Sequence, residues 1–189
     1  MCSSDLELQL AGVVDVAGAV DPLGMISAAG FISGDVITPM MVAGYAAAYP
    51  DLHPADVLSP AAVAKLGVVD TGCVGAISTA YADFTGKTMR HASPDELPRW
   101  HDHLAANAAG RRPIAAPIAI FHGEDDQIVP ANTSRRLLTR LCAEGDTAWL
   151  RLYPGEGHAT VLTASQGEAI RWMAARLAGG ASLTSCPAG

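Results

Sequence analysis

The first apolar segment, LQLAGVVDVAGAV over residues 8–20, is broken only by Gln9 and Asp15. Apolar side chains at both alternating positions predict a core parallel strand buried between helices, not a half-solvated antiparallel one. From Asp21 to about Arg112 the pattern loosens into apolar stretches punctuated by Gly and Pro, with helical pieces over 38–49, 60–66 and 94–109. A connection of about 90 residues far exceeds the handful that joins two elements, so it predicts a structured helical insertion. Regularity returns after Pro113. Residues 117–121 (PIAIF) read as a short buried strand, Leu137, Leu138 and Leu141 mark one face of a helix ending near Gly145, and 147–153 alternates like a strand. Ser165 and Glu168 then have the spacing of a capping box. Ile170, Met173, Ala174 and Leu177 follow at i, i+3, i+4, i+7, which predicts a terminal helix burying that stripe.

Strand, helix, strand, helix in this order makes a βαβα unit closing one side of a parallel sheet, with ligands expected at the carboxyl ends of its strands. The expected organisation is a core strand in 1–21, a helical insertion over 22–112, a C-terminal core unit over 113–180 and a tail over 181–189. Composition narrows the functional classes. The net charge of −7 and pI near 5.2 exclude a nucleic-acid surface, and the Arg111-Arg112 and Arg135-Arg136 pairs are too small to make one. Only 16% of the residues are charged, below the roughly 25% of average domains, yet Asp21, Asp35 and Asp51 interrupt the most apolar region. No transmembrane segment is therefore expected. No signal peptide is visible either, since no charged start precedes an apolar run and a small-residue cleavage site. Four cysteines (Cys2, Cys73, Cys142, Cys186) are spaced too irregularly for a zinc knuckle or a C-x-x-C redox site. Buried thiols and three complete pairings stay open. Cys142 with Cys186 is preferred, because both flank the C-terminal core unit.

The candidate chemistry lies in two strand-end loops. His122-Gly123-Glu124-Asp125-Asp126 with Val129-Pro130 offers an acid at an exposed turn, and Gly155-Glu156-Gly157-His158 can thrust an imidazole into a cleft. Asp126 would accept a hydrogen bond from His158 and stabilise the imidazolium, while His158 would serve as general base and then general acid. A capping or turn-forming role is the competing reading for Asp126, and a surface position for His158. Asp125 is the near competitor as acid and is assigned to loop solvation, and His122 is read as a structural residue of the strand-end turn. His53 and His91 fall in loops of the insertion. His101-Asp102-His103 does not suggest a metal, because helical residues two apart diverge by about 200°. No metal or cofactor is implied.

H-G-x-x-D-x-x-V-P followed by G-x-G-H resembles the closing half of α/β-hydrolases, whose triads run nucleophile, acid, histidine. With Cys73, Trp100, Asn107, the Gly110-to-Pro113 linker and Leu141-Cys142-Ala143-Glu144-Gly145, the chain resembles the secretory lipase family over nearly all of residues 6–186. The resemblance implies a partial α/β-hydrolase fold with 22–112 as an inserted helical cap. It also implies secreted ester hydrolysis without a cofactor, a small-molecule ester or lipid substrate of triacylglycerol type, and contact of the cap, residues 22–50 above all, with acyl chains or a lipid interface, although that stretch suits the core of the cap equally well. No G-x-S-x-G occurs in the 189 residues. By analogy with the strand-turn-helix elbow, the family's serine is expected roughly 20 to 30 residues upstream of Met1. Ser27 and Ser33 lie beside glycines, but neither follows a core strand, so neither is expected to replace it. The same acid and histidine would suit cleavage of an amide or peptide ester, and a hydrolase-derived binding module without turnover would also keep them.

Overall fold

In the computed structural model, which describes residues 9–28 and 36–187, three strands form a parallel sheet in the spatial order β1 (Val13–Val16), β2 (Ile118–Gly123), β3 (Ala148–Tyr153). Helices α1 (Pro22–Ala28), α2 (Ile37–Ala48), α3 (Pro60–Val63), α4 (Val68–Thr71), α5 (Val74–Ala80), α6 (Gly86–Met89) and α7 (Pro98–Ala106) separate β1 from β2. Helix α8 (Asn132–Ala143) connects β2 to β3, and α9 (Thr160–Leu177) follows β3. Two compact units result, one from residues up to Val20 and from Ala109 onward, the other from Asp21–Ala108.

Every residue of β2 is buried, because the strand is central and has a helix on each face. Alternation divides its side chains: Ile118 and Ile120 pack with Leu137 and Leu141 of α8, and Ala119 and Phe121 with Ala169 and Trp172 of α9. The register runs from Val13 opposite Ile118 to Val16 opposite Phe121, and from Ile118 opposite Ala148 to Gly123 opposite Tyr153. The second strand is longer than its apolar pattern suggested, and it carries His122 and Gly123 inside the ladder.

The first strand is shorter than expected. Among the described residues the strand is Val13–Val16, half-buried rather than buried between helices, with β2 as its paired neighbour. It ends where Ala17 takes a φ of 51°, and the carboxylate of Asp15 fills the space in which a Gly18 Cβ would stand. Leu8 lies outside the described residues.

The last helix also departs from its pattern. It begins at Thr160, so Ser165 is not a cap: it lies buried within the helix and its hydroxyl donates to the Val161 carbonyl at 2.7 Å, while Glu168 accepts from the Tyr153 hydroxyl. The stripe facing the sheet is Val161, Ser165, Ala169 and Trp172. The expected stripe points outward, with Ile170 53%, Met173 43% and Leu177 81% exposed. Both stripes have helical spacing, so periodicity could not choose between them. The sheet-facing one holds Trp172, whose ring lies where a Cβ on Gly12 would come within 2.6 Å of it.

The tail closes the other side of the sheet. Ser185 donates its N–H to the Ala148 carbonyl at 2.8 Å, and its hydroxyl accepts from Leu150 N–H at 3.1 Å, so main-chain groups on the outer edge of β3 are occupied. A disulfide from Cys186 to Cys142 of α8 fastens it there. Cys73 is an exposed free thiol, and Cys2 lies outside the described residues.

The 21–108 unit has a core of its own around Trp100, Tyr81, Met89, Leu58 and Val42, in which the Tyr81 hydroxyl donates to the Ala62 carbonyl at 2.9 Å. The helix expected over 94–109 is divided by Pro98 into a 3-10 turn (Pro94–Glu96) and α7, and the piece over 60–66 shortens to Pro60–Val63. Among the described residues no helix is long and apolar enough to cross a membrane.

The tail arrangement yields a prediction. Replacing Cys142 and Cys186 by Ser should lower unfolding stability by ~2–5 kcal/mol in denaturant melts and release the tail from β3. Unchanged stability with continued protection of the Leu150 amide from hydrogen exchange would contradict it.

Candidate active site

The two loops after β2 and β3 are joined by main-chain bonds before any side chain enters. Glu124 N–H donates to the Tyr153 carbonyl at 3.0 Å, and Asp125 N–H to the Glu156 carbonyl at 3.0 Å. This close approach requires Gly123, since a Cβ there would lie 2.2 Å from the Glu156 oxygen. The turn before His158 uses Gly155 at φ 78°, and Gly157 N–H donates to the Thr160 hydroxyl at 2.9 Å at the start of α9.

These constraints bring Asp126 and His158 together. His158 Nδ1 lies 2.8 Å from Asp126 Oδ2. The other carboxylate oxygen, Oδ1, accepts the N–H groups of Ile128 and Val129, each at 2.8 Å. The Asp126 side chain has no exposed surface, whereas that of His158 is 36% exposed. A carboxylate facing Nδ1 selects the tautomer with the proton on that nitrogen, which leaves Nε2 with a lone pair for a proton acceptor's role. Chemically, the pair can take a proton at Nε2 and stabilise the resulting imidazolium.

The other candidates lie elsewhere. Asp125 is exposed at the loop surface, as are His53 and His91. His101 Nδ1 is 3.2 Å from Asp102, and His103 Nε2 is 3.2 Å from Asp51, with its ring stacked on Tyr49 at 4.0 Å. That contact holds the Asp51 carboxyl below its usual range. Among the described residues no group of three or more His, Cys, Asp or Glu side chains is placed to hold a metal. Ser33 and the side chain of Ser27 lie outside the described residues.

Sequence reasoning missed three contributors. His122 is not in a turn: its ring is fully buried in β2, with Nδ1 2.7 Å from Ser134 Oγ and Nε2 2.8 Å from the Val129 carbonyl. Thr160 was detectable, since a hydroxyl three residues after Gly157 is a local turn signal. In the sequence Asp15 is only a break in an apolar run. Its Oδ2 is buried without a hydrogen-bond partner, and burial raises its carboxyl above the ordinary value, opposed by the neighbouring His122 and the Gly18 N–H. Burial, and then Glu168, push the Tyr153 hydroxyl up to about 12, so it remains a donor.

A parallel sheet whose consecutive strand-end loops bear an acid and a histidine in contact defines part of an α/β-hydrolase fold. The sequence model of the secretory lipase family matches residues 6–185. The chain belongs to that family. Lipase A from Candida antarctica superposes with a TM-score of 0.78 at 16% identity, over 97% of this chain and 46% of the lipase. The rice cell wall degrading esterase LipA from Xanthomonas oryzae gives 0.64 at 15% identity, over 94% of this chain and 50% of the esterase. The chain thus spans about half the length of these solved structures. Comparison with the sequences of curated proteins finds no match.

Two predictions arise here. Gly123→Ala should cost ~1–3 kcal/mol and move the 154–158 loop, seen as lower melting stability and shifted His158 resonances. Asp15→Asn should stabilise the protein at neutral pH. A carboxyl whose folded pKa is raised above 3.8 is penalised once it ionises, so the advantage should vanish below the unfolded value. Melting curves of both proteins between about pH 3 and pH 7 check the sign.

Proposed function

We propose that this chain is the acid- and histidine-bearing part of a carboxylic ester hydrolase, a lipase or esterase working through a Ser/Asp/His triad. The observation that carries the reading is the 2.8 Å contact between His158 Nδ1 and the buried Asp126 Oδ2. His158 Nε2 takes the proton from a serine hydroxyl as it attacks the ester carbonyl, then returns it to the departing alcohol. Asp126 holds the ring and stays ionised throughout. The serine comes from outside these 189 residues, a reading supported by the absence of G-x-S-x-G within them and by their match to about half of the solved structures.

Residues 22–112 act as the cap that selects the acyl group, with triacylglycerol-type esters as substrates; Ile26 and Val42 belong to the cap's own core, so contact with a lipid interface falls to exposed side chains such as Met40. Membership of the secretory lipase family supports this assignment. The Cys142–Cys186 disulfide supports an extracellular setting, since disulfides persist under oxidising conditions.

In the enzyme that carries the serine elbow, Asp126→Asn and His158→Ala should each lower kcat by ~10⁴-fold with folding intact. A loss of less than about tenfold at either position would remove that residue from the triad. The 189-residue chain alone should not hydrolyse p-nitrophenyl esters faster than free imidazole, nor be labelled by fluorophosphonates. A stoichiometric adduct on one of its own serines, with Ser27 and Ser33 checked first by mass spectrometry, would place the nucleophile inside the chain.

A further inference from the structure

The ring of His122 is fixed by two partners. Its Nε2 is 2.8 Å from the Val129 carbonyl, a group that can only accept, so Nε2 carries a proton. Its Nδ1 is 2.7 Å from Ser134 Oγ, which donates to it when the ring is neutral. The same Nε2 is 3.3 Å from Asp126 Oδ2, the oxygen that faces His158. Two imidazoles therefore converge on one carboxylate oxygen. Val129 is held at both ends of its peptide groups, its N–H by Asp126 Oδ1 and its C=O by His122.

We propose that His122 is a positioning residue for the catalytic pair, an imidazole that bears a proton on Nε2, is oriented by Ser134, and holds the 126–129 turn and the Asp126 carboxylate against His158. The inference rests on the triad reading of Asp126 and His158. A carboxylate bonded on one oxygen only can swing about its Cβ–Cγ bond. Here the two amides on Oδ1 set the plane, and the His122 N–H donates to the Val129 carbonyl of the same turn, with its Nε2 3.3 Å from Oδ2. His158 then meets an acceptor that does not move as the imidazolium forms and is discharged. A space-filling role would need only the volume of the ring, whereas this role needs its N–H.

Histidine-selective ¹⁵N NMR on the intact 189-residue chain tests the idea. Wild-type His122 should carry a proton on Nε2, and finding the proton on Nδ1 with Nε2 bare would overturn the proposal without any variant. His122→Phe keeps an aromatic ring and should lose the slowly exchanging Nδ1–H resonance of His158 and speed amide exchange at Ile128 and Val129 by roughly tenfold or more. His122→Gln, whose side-chain N–H reaches the position of Nε2, should retain both. If His122→Phe does not fold, the Gln variant decides: a folded His122→Gln protein without the His158 resonance sinks the proposal, as does a folded Phe variant that behaves like wild type. Asp126→Asn separates the two readings. It should shift the His158 Nδ1–H resonance upfield, and an unshifted resonance would mean that the pair itself is not formed, while the His122 tautomer is still measured independently.

Discussion

A carboxylate with no exposed surface is tolerated in a protein interior only when donors replace the water it has lost, and the arrangement around Asp126 follows from that requirement. Two backbone N–H groups of its own turn take one oxygen and His158 takes the other. Each donor is supplied by a different level of structure. The amides come from the local turn of residues 126–129, while the imidazole comes from a loop 32 residues away that arrives only because β2 and β3 lie parallel and in register. Loss of that register would leave the Asp126 carboxylate without its His158 donor.

The two sides of the sheet are treated differently. The stapled tail occupies groups along the outer side of β3, whereas β1 is half-buried and the outward face of α9 presents Leu162, Ile170, Met173 and Leu177. The strands whose ends carry Asp126 and His158 are thus the ones with backbone partners on both sides, β2 between β1 and β3, and β3 between β2 and the tail.

Much of this was legible in the sequence because it depends on local chemistry. The β2 segment is a short apolar run between Pro117 and Gly123, Gly145 follows the end of α8 at a φ of 83°, and Asp126 and His158 stand in turns spelled by glycines. What was misread depended on neighbours. The 8–20 run looked like a long buried strand, but apolar residues do not reveal where a strand leaves the sheet, and Gly12 and Gly18 mark its ends by close approach of Trp172 and Asp15. On α9, Ser165 and Glu168 matched a capping box and the 170, 173, 174, 177 stripe matched a buried face. Bonds to Val161 and Tyr153 and the seating of Trp172 rotated the helix to the alternative face.

His122 marks the division most clearly. By itself the sequence determined the α/β class, the family resemblance, and Asp126 and His158 as candidates, because glycine turns, apolar runs and motif spacing are properties of neighbouring residues. Only the tertiary structure decided that His122 is a buried member of β2 facing Ser134, Val129 and Asp126, and that Asp15 is buried near the same ring. These contacts join β1, β2, α8 and the acid loop, and a hydrogen bond between distant segments depends on distance in space, which the order of residues does not encode.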